Sequence, residues 1–324
     1  MKKVLITRKL FDGAFNRLKR SKFFGEIELD YWDQLSPIPK KELEKRAVGC
    51  NAILCSLEDQ IDKKIIQNNP QLSVISNYAV GVNNIDTNYC REKSIPVGHT
   101  PGVLTEATAD LSFALLISAA RNIVSSSQSI PKGDWKYWDP EGHLGIELAG
   151  KSLGIVGAGR IGKAMAYRAH HGFNMKIQYF NRSKNSELEK NTKAQRVDLS
   201  TLARESDFVS IHLPLNDQTV GFIGRDFFNE MKETAILINT ARGKIINQSE
   251  LYQILKDRKI FAAALDVTDP EPLPPGHQLL TLSNCLITPH IGSSTFQTRL
   301  SMASIAVENL IDGLEGRELT HRFC

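Results

Sequence analysis

Long apolar runs, massed basic residues and paired cysteine spacings are what this sequence lacks. No stretch of its 324 residues approaches the roughly 20 apolar residues that a membrane span needs. The opening Met1-Lys2-Lys3-Val4-Leu5-Ile6-Thr7 breaks at Arg8-Lys9, too early for a signal peptide, and reads as a first buried strand. The five cysteines (Cys50, Cys55, Cys90, Cys285 and Cys324) are odd in number and show no CxxC spacing, which excludes disulfide-scaffold and zinc-finger classes. Reduced thiols in a cytoplasmic protein without a metal site are the expectation. The net charge is only +4 and Lys and Arg are scattered, so neither nucleic acid nor a membrane is an expected partner. Repeats and low-complexity tracts are absent as well. What remains is an ordinary globular mixture, 41% hydrophobic and 23% charged, long enough for two domains of about 150 residues each.

Short apolar runs alternate with amphipathic helical patterns along nearly the whole chain, which argues α/β architecture with parallel sheets. The first third offers strands over 4–7, 27–31, 52–56, 72–76 and 96–98, with helices over 40–48 and 63–68. A long helix fits 104–123 and is apolar on nearly every side, so it is expected to be buried between domains or subunits. The segment 131–145 reads as a loop and holds Trp135 and Trp138. Strands over 153–156, 176–180, 208–213, 235–239, 262–267 and 285–288 follow with helices between them. Six strands with five crossovers match one doubly wound nucleotide-binding domain. A last helix is expected over 295–314.

Gly157-Ala158-Gly159-Arg160-Ile161-Gly162 is a G-x-G-x-x-G between a strand and a helix. In that context the first glycine permits a tight turn and the second admits a pyrophosphate to the backbone. The third lets helix and strand pack closely, with the helix N-terminus facing the anion. A plain βα turn is the alternative. In NAD-binding members of this fold an acid at the end of the second strand holds the ribose 2′-hydroxyl. Here that end reads Asn181-Arg182-Ser183-Lys184, and the next carboxylate is Glu187. Arg182 would bind a 2′-phosphate, with Asn181 and Ser183 adding hydrogen bonds, so NADP(H) is expected to be preferred, with NAD possible if Arg182 merely stacks on adenine.

Ligands of such sheets lie outside the carboxyl ends of the strands. Arg242 follows one strand in Asn239-Thr240-Ala241-Arg242-Gly243, Glu271 follows the next in Asp269-Pro270-Glu271-Pro272, and His290 the next in Pro289-His290-Ile291-Gly292. Each alone could be a surface arginine, a solvated acid or a satisfied histidine. Together beside a dinucleotide loop they suggest carbonyl reduction. His290 would give a proton to the developing alkoxide, Glu271 would hold and stabilise the imidazolium, and Arg242 would bind the carboxylate and polarise the carbonyl of an α-keto acid. His212, Thr240, Asp266 and Gly292 are expected to line the cofactor, although Asp266 could instead be a strand-end cap.

These pieces, GAGRIG, NTARG, DPEPLP and PHIGSST, resemble the D-isomer-specific 2-hydroxyacid dehydrogenase family over essentially the whole chain, most closely its glyoxylate/hydroxypyruvate reductase branch. The resemblance implies two doubly wound parallel-sheet domains, Rossmann- and flavodoxin-like. The substrate domain would be discontinuous (1–100 and 291–324), with the dinucleotide-binding domain inserted (101–290). It further implies that backbone amides of Val80 and Gly81 face a substrate carboxylate, that Leu57 forms the opposite wall, and that Trp138 closes the site of the neighbouring subunit in a homodimer. Ala79 and Ala158 depart from the usual glycine and leucine. The implied activity is reduction of glyoxylate and hydroxypyruvate with NADPH. Competing readings are an NAD-linked D-lactate-type or phosphoglycerate dehydrogenase and, from another class, a dinucleotide-sensing corepressor.

Overall fold

In the computed structural model, which describes residues 1–22 and 24–324, the chain divides into two compact units. The terminal unit comprises Met1–Leu104 and Ser294–Cys324, and the central unit Thr105–Ser293.

The terminal unit begins β1 (Lys2–Ile6), α1 (Asp12–Lys19), β2 (Ile27–Tyr31), α2 (Lys40–Ala47) and β3 (Ala52–Cys55). It continues through α3 (Lys63–Gln67), β4 (Val74–Asn77), α4 (Thr87–Glu92) and β5 (Val97–Gly98). Its five strands are parallel in the order β2-β1-β3-β4-β5, the flavodoxin-like winding. Val4 and Ile6 pack into one apolar cluster and Leu5 into another, so the sheet is covered on both faces. That double burial is why these strands read as continuous apolar runs. α1 and α4 lie outside the sequence-based expectation. Asp12 opens the first turn of α1, and the Asp86 carboxylate caps α4 by accepting from the Tyr89 amide at 2.9 Å.

The central unit starts with α5 (Thr105–Ala120), α6 (Ile123–Ser129), β6 (Ser152–Val156), α7 (Arg160–Phe173), β7 (Lys176–Phe180) and α8 (Ser186–Thr192). Then come β8 (Gln195–Arg196), α9 (Leu199–Glu205), β9 (Phe208–Ile211), α10 (Arg225–Glu230), β10 (Ile236–Asn239), α11 (Gln248–Lys256), β11 (Ala262–Leu265) and β12 (Cys285–Ile287). The strands run parallel in the order β12-β11-β10-β9-β6-β7-β8, seven rather than the expected six. β8 adds two exposed residues at the sheet edge and leaves no apolar trace in the sequence. Strand order reverses between β6 and β9, the switch point where ligands of such sheets bind.

The long helix is a core element of the central unit, packed on β10, β11 and α7. It is shorter than expected. Asn122 adopts a left-handed φ of 51°, and the chain turns by 56° into α6. Asn tolerates that conformation better than most residues. No single helix among the described residues is long and apolar enough to cross a membrane.

The last helix, α12 (Phe296–Leu314), returns to the terminal unit and fixes its C-terminal segment there. A Cβ on Gly313 would lie 2.3 Å from the Val74 side chain, and one on Gly98 would lie 2.7 Å from Asn309. The Ser76 hydroxyl donates to the Ala306 carbonyl at 2.7 Å. Helix and sheet thus approach more closely than side chains at those two positions would allow.

Candidate active site

Loops leaving the carboxyl edge of the central sheet carry, in spatial order from β12 to β7, His290, Asp266 with Glu271, Arg242, His212, the glycine turn and Asn181–Ser183. Parallel pairing of β10 with β11, and of β11 with β12, makes the three ends that bear Arg242, Glu271 and His290 immediate neighbours.

His290 Nδ1 and Glu271 Oε1 form a hydrogen-bonded pair. The other oxygen, Glu271 Oε2, accepts from the Thr268 amide at 3.3 Å. Burial pushes the Glu271 carboxyl up, but His290, the Thr268 amide and the Arg242 charge outweigh it and hold the group below its ordinary value. Glu271 therefore remains an anion at neutral pH. Arg242 follows β10 in extended backbone and donates from Nη1 to the Ala241 carbonyl at 2.7 Å. Burial lowers its pKa while the Glu271 charge opposes that shift. The Arg242 and Glu271 loops meet at Gly243, where a Cβ would lie 2.0 Å from the Thr268 carbonyl oxygen, so only glycine fits.

His290 has a φ of 54°, a left-handed conformation that costs a non-glycine residue about 1–3 kcal/mol. Asp266 holds it. Its Oδ1 accepts from the Ile291 amide at 2.8 Å and the Thr288 hydroxyl at 2.6 Å, and its Oδ2 accepts from the Gly292 amide at 2.8 Å. The His290 amide donates to the Asp266 carbonyl at 3.0 Å. Asp266 thus caps the strand end and anchors the turn that presents His290. Its carboxyl is raised by burial, which those donors only partly offset. Gln248 steadies the neighbouring loop through both ends of the Asp269 backbone, accepting from its amide at 3.0 Å and donating to its carbonyl at 2.6 Å.

The glycine turn fits a dinucleotide. Gly157 has a φ of 100°, and a Cβ there would lie 2.8 Å from the His212 backbone. A Cβ on Gly159 would meet no atom within 4 Å, so the surface beside the first turn of α7 is open, and that helix has no side-chain cap. Gly162 lies so close to the turn that a Cβ would approach the Gly157 carbonyl oxygen to 2.2 Å. Each glycine thus has the geometry that a phosphate cradle needs. Arg160 is exposed and Ile161 half-buried on the first turn. His212 borders the turn. Its Nε2 lies 2.9 Å from the Ser210 hydroxyl, and burial drives its pKa down to about 3, so the ring is neutral at working pH. Thr240 and Gly292 are braced by α5: the Ser112 and Thr240 hydroxyls lie 2.7 Å apart, and the Thr108 hydroxyl donates to the Gly292 carbonyl at 3.2 Å.

At the end of β7, Arg182 and Ser183 are exposed and the Asn181 side-chain amide donates to the Ser183 carbonyl at 3.0 Å. Glu187 is engaged by Lys163 at 2.6 Å, which lowers its pKa.

In the terminal unit, Leu57, Val80 and Gly81 follow β3 and β4. A buried polar network that sequence reading missed shapes these loops. Asn77 donates to the Gly81 carbonyl at 2.8 Å, Asn84 donates to the Ser56 carbonyl at 2.9 Å, and Asp59 accepts from the Ser56 amide at 2.7 Å. The His99 ring has Nδ1 2.9 Å from the Val80 carbonyl oxygen. Trp138 and Trp135 are 83% and 71% exposed. No group of three or more potential metal ligands occurs among the described residues.

A sheet wound in Rossmann order, with a phosphate cradle at its switch point and an imidazole–carboxylate pair farther along the same edge, defines a dinucleotide-dependent oxidoreductase. Residues 113–292 match the family described as D-isomer specific 2-hydroxyacid dehydrogenase, NAD binding domain. The glyoxylate reductase/hydroxypyruvate reductase of Mus musculus is 42% identical over 296 residues, 91% of this chain and 90% of its own. The glyoxylate reductase of Korarchaeum cryptofilum is 42% identical over 310 residues, 95% of this chain and 92% of its own. Among solved structures, a protein of Thermus thermophilus matches with a TM-score of 0.90 and 43% identity, covering 99% of this chain and 100% of that one. The chain belongs to the D-isomer-specific 2-hydroxyacid dehydrogenase family, and its cofactor is a nicotinamide dinucleotide.

Proposed function

We propose that the protein is an NADPH-preferring reductase of small 2-keto acids, converting glyoxylate to glycolate and hydroxypyruvate to D-glycerate. The observation that carries this reading is the His290–Glu271 pair at strand ends adjacent to that of Arg242, on the sheet edge that bears the glycine cradle. The names of the mouse and archaeal relatives support the substrate class.

The reduced nicotinamide, when bound, supplies a hydride to the carbonyl carbon. Arg242 grips the carboxylate and carbonyl oxygens of the substrate, aligning it and drawing charge toward the oxygen. Glu271 holds Nδ1 of protonated His290, which leaves Nε2 to pass its proton to that oxygen as the carbonyl π pair moves onto it. In the reverse direction neutral His290 accepts the hydroxyl proton through Nε2. Asp266 keeps the imidazole presented by fixing its turn. Gly157, Gly159, Arg160, Ile161 and Gly162 would cradle the pyrophosphate, with His212, Thr240 and Gly292 bordering the rest of the cofactor.

The cofactor preference rests on Asn181, Arg182 and Ser183, which would take a 2′-phosphate where NAD-specific members present an acid. By family resemblance Val80 and Gly81 would give amides to the substrate carboxylate, and Val80, Leu57 and Trp138 would leave little room for a long side chain. The exposed Trp135, Tyr137, Trp138 and Leu144 suit a homodimer contact through which Trp138 reaches the partner's site. A reducing cytoplasmic setting fits the thiols, which burial keeps protonated: Cys50 is pushed up to about 11 and Cys90 and Cys285 to about 12.

A panel of oxo acids assayed with both cofactors tests the proposal. Glyoxylate and hydroxypyruvate should each drive loss of the reduced-cofactor absorbance, with kcat/KM about tenfold or more higher for NADPH than NADH, the worth of about one charge-assisted contact. A flat trace with every oxo acid refutes the activity. A tenfold preference for NADH refutes the cofactor assignment alone.

A further inference from the structure

We propose that Arg196 is a positioning residue for NADPH, locking the turn after β7 in the form that receives the 2′-phosphate. The inference deepens the cofactor assignment above and rests on it.

β8 is too short and too exposed to add to the core, since both its residues face solvent. Its register against β7 sets Arg196 beside Tyr179, and the Val197 amide secures that register by donating to the Tyr179 carbonyl at 3.0 Å. From there the guanidinium reaches past the end of β7. Nε donates to the Asn181 carbonyl at 3.1 Å and Nη2 to the Arg182 carbonyl at 2.8 Å. One planar fork thus binds two successive carbonyls of the turn, a geometry that lysine cannot reproduce.

Two consequences favour a phosphate. Carbonyl oxygens carry partial negative charge and would oppose a dianion; here both are turned onto a cation. The backbone bearing Arg182 is also fixed in advance, together with the Asn181–Ser183 bond, so less ordering remains for the ligand to impose. The nearby acids are already engaged: Glu187 by Lys163, and Glu189 by the Tyr179 hydroxyl at 2.7 Å and Lys184 at 3.0 Å. The turn therefore presents the Arg182 charge, with Glu187 engaged by Lys163 and Glu189 held by Tyr179 and by Lys184 at the far end of the turn.

Calorimetric titration of the full-length protein with adenosine 2′-monophosphate and adenosine 5′-monophosphate reads this without turnover. In Arg196→Met the affinity for the 2′-monophosphate should fall about tenfold, and that for the 5′-monophosphate should fall several-fold less, because only the former uses the locked turn. The NADPH-to-NADH ratio of kcat/KM should fall by a similar factor, mainly through the KM for NADPH. Arg196→Lys keeps the charge but not the fork, and should recover only part of the loss. Equal losses for both nucleotides would mark Arg196 as a generic edge residue and overturn the inference. So would an unchanged affinity for the 2′-monophosphate in a variant with native thermal stability. Wild-type protein that binds both monophosphates equally would instead defeat the NADPH assignment itself, and the inference with it.

Discussion

His290→Ala should lower kcat for hydroxypyruvate reduction by about a thousandfold, within the range expected when a positioned general acid is removed. Neither His212 nor Glu271 can substitute for it. His212 borders the cofactor turn, but its ring contacts Ser210 and its pKa is pushed down to about 3. Glu271 is held ionised and has no proton to give. NADPH affinity, followed by fluorescence titration, should survive because the Ile291 and Gly292 amides remain bound to Asp266. Alanine is strained at a φ of 54°, so a collapsed turn could mimic the loss of the acid. Asn tolerates that backbone, and His290→Asn should therefore lose as much activity while keeping the turn. A kcat within tenfold of wild type in the asparagine variant would remove His290 from the mechanism.

Arg242→Met should reduce kcat/KM for the keto acid about a thousandfold, because in the proposed mechanism the same guanidinium would bind the ground-state carboxylate and stabilise charge growing on the carbonyl oxygen. Both KM and kcat should suffer, whereas loss of the proton donor falls on kcat alone. Arg242→Lys should restore little, since a point charge lacks the paired donors that span two oxygens. The variant should still fold: the Arg242 charge is disfavoured by its burial, and the loop is independently fixed by the Asn239 side chain, which donates to the Arg242 carbonyl at 2.9 Å. Steady-state kinetics with hydroxypyruvate, alongside a thermal melt, checks both points. A change only in KM would restrict Arg242 to substrate capture.

Strands buried on both faces announce themselves as apolar runs, which is why Ala52–Cys55, Ile236–Asn239 and Ala262–Leu265 could be read directly. Their ends then located Arg242, Glu271 and His290, because in a parallel sheet the residues after successive strands share one edge. Elements without a periodic apolar face escaped. β8 is two exposed polar residues, and the six-residue α4 is too short to display a helical period. The break at Asn122 had a faint local sign, a residue tolerant of left-handed backbone, inside a helix pattern that otherwise runs on. The support around the site was out of reach for another reason. Asp266 with the Ile291 and Gly292 amides, Gln248 with Asp269, and Gly243 against Thr268 join residues whose spacing along the chain carries no pattern. Only the packed loops bring them together.

The central claim is that His290 protonates the oxygen that Arg242 polarises. A crystal structure of the full-length protein with NADP and a non-reducible analogue of hydroxypyruvate tests it most directly. The account predicts His290 Nε2 within ordinary hydrogen-bond reach, about 3 Å, of the analogue's carbonyl-equivalent oxygen, with Arg242 bridging that oxygen and the carboxylate. An analogue seated on the nicotinamide with His290 turned away, its ring engaged only by Glu271, would contradict it.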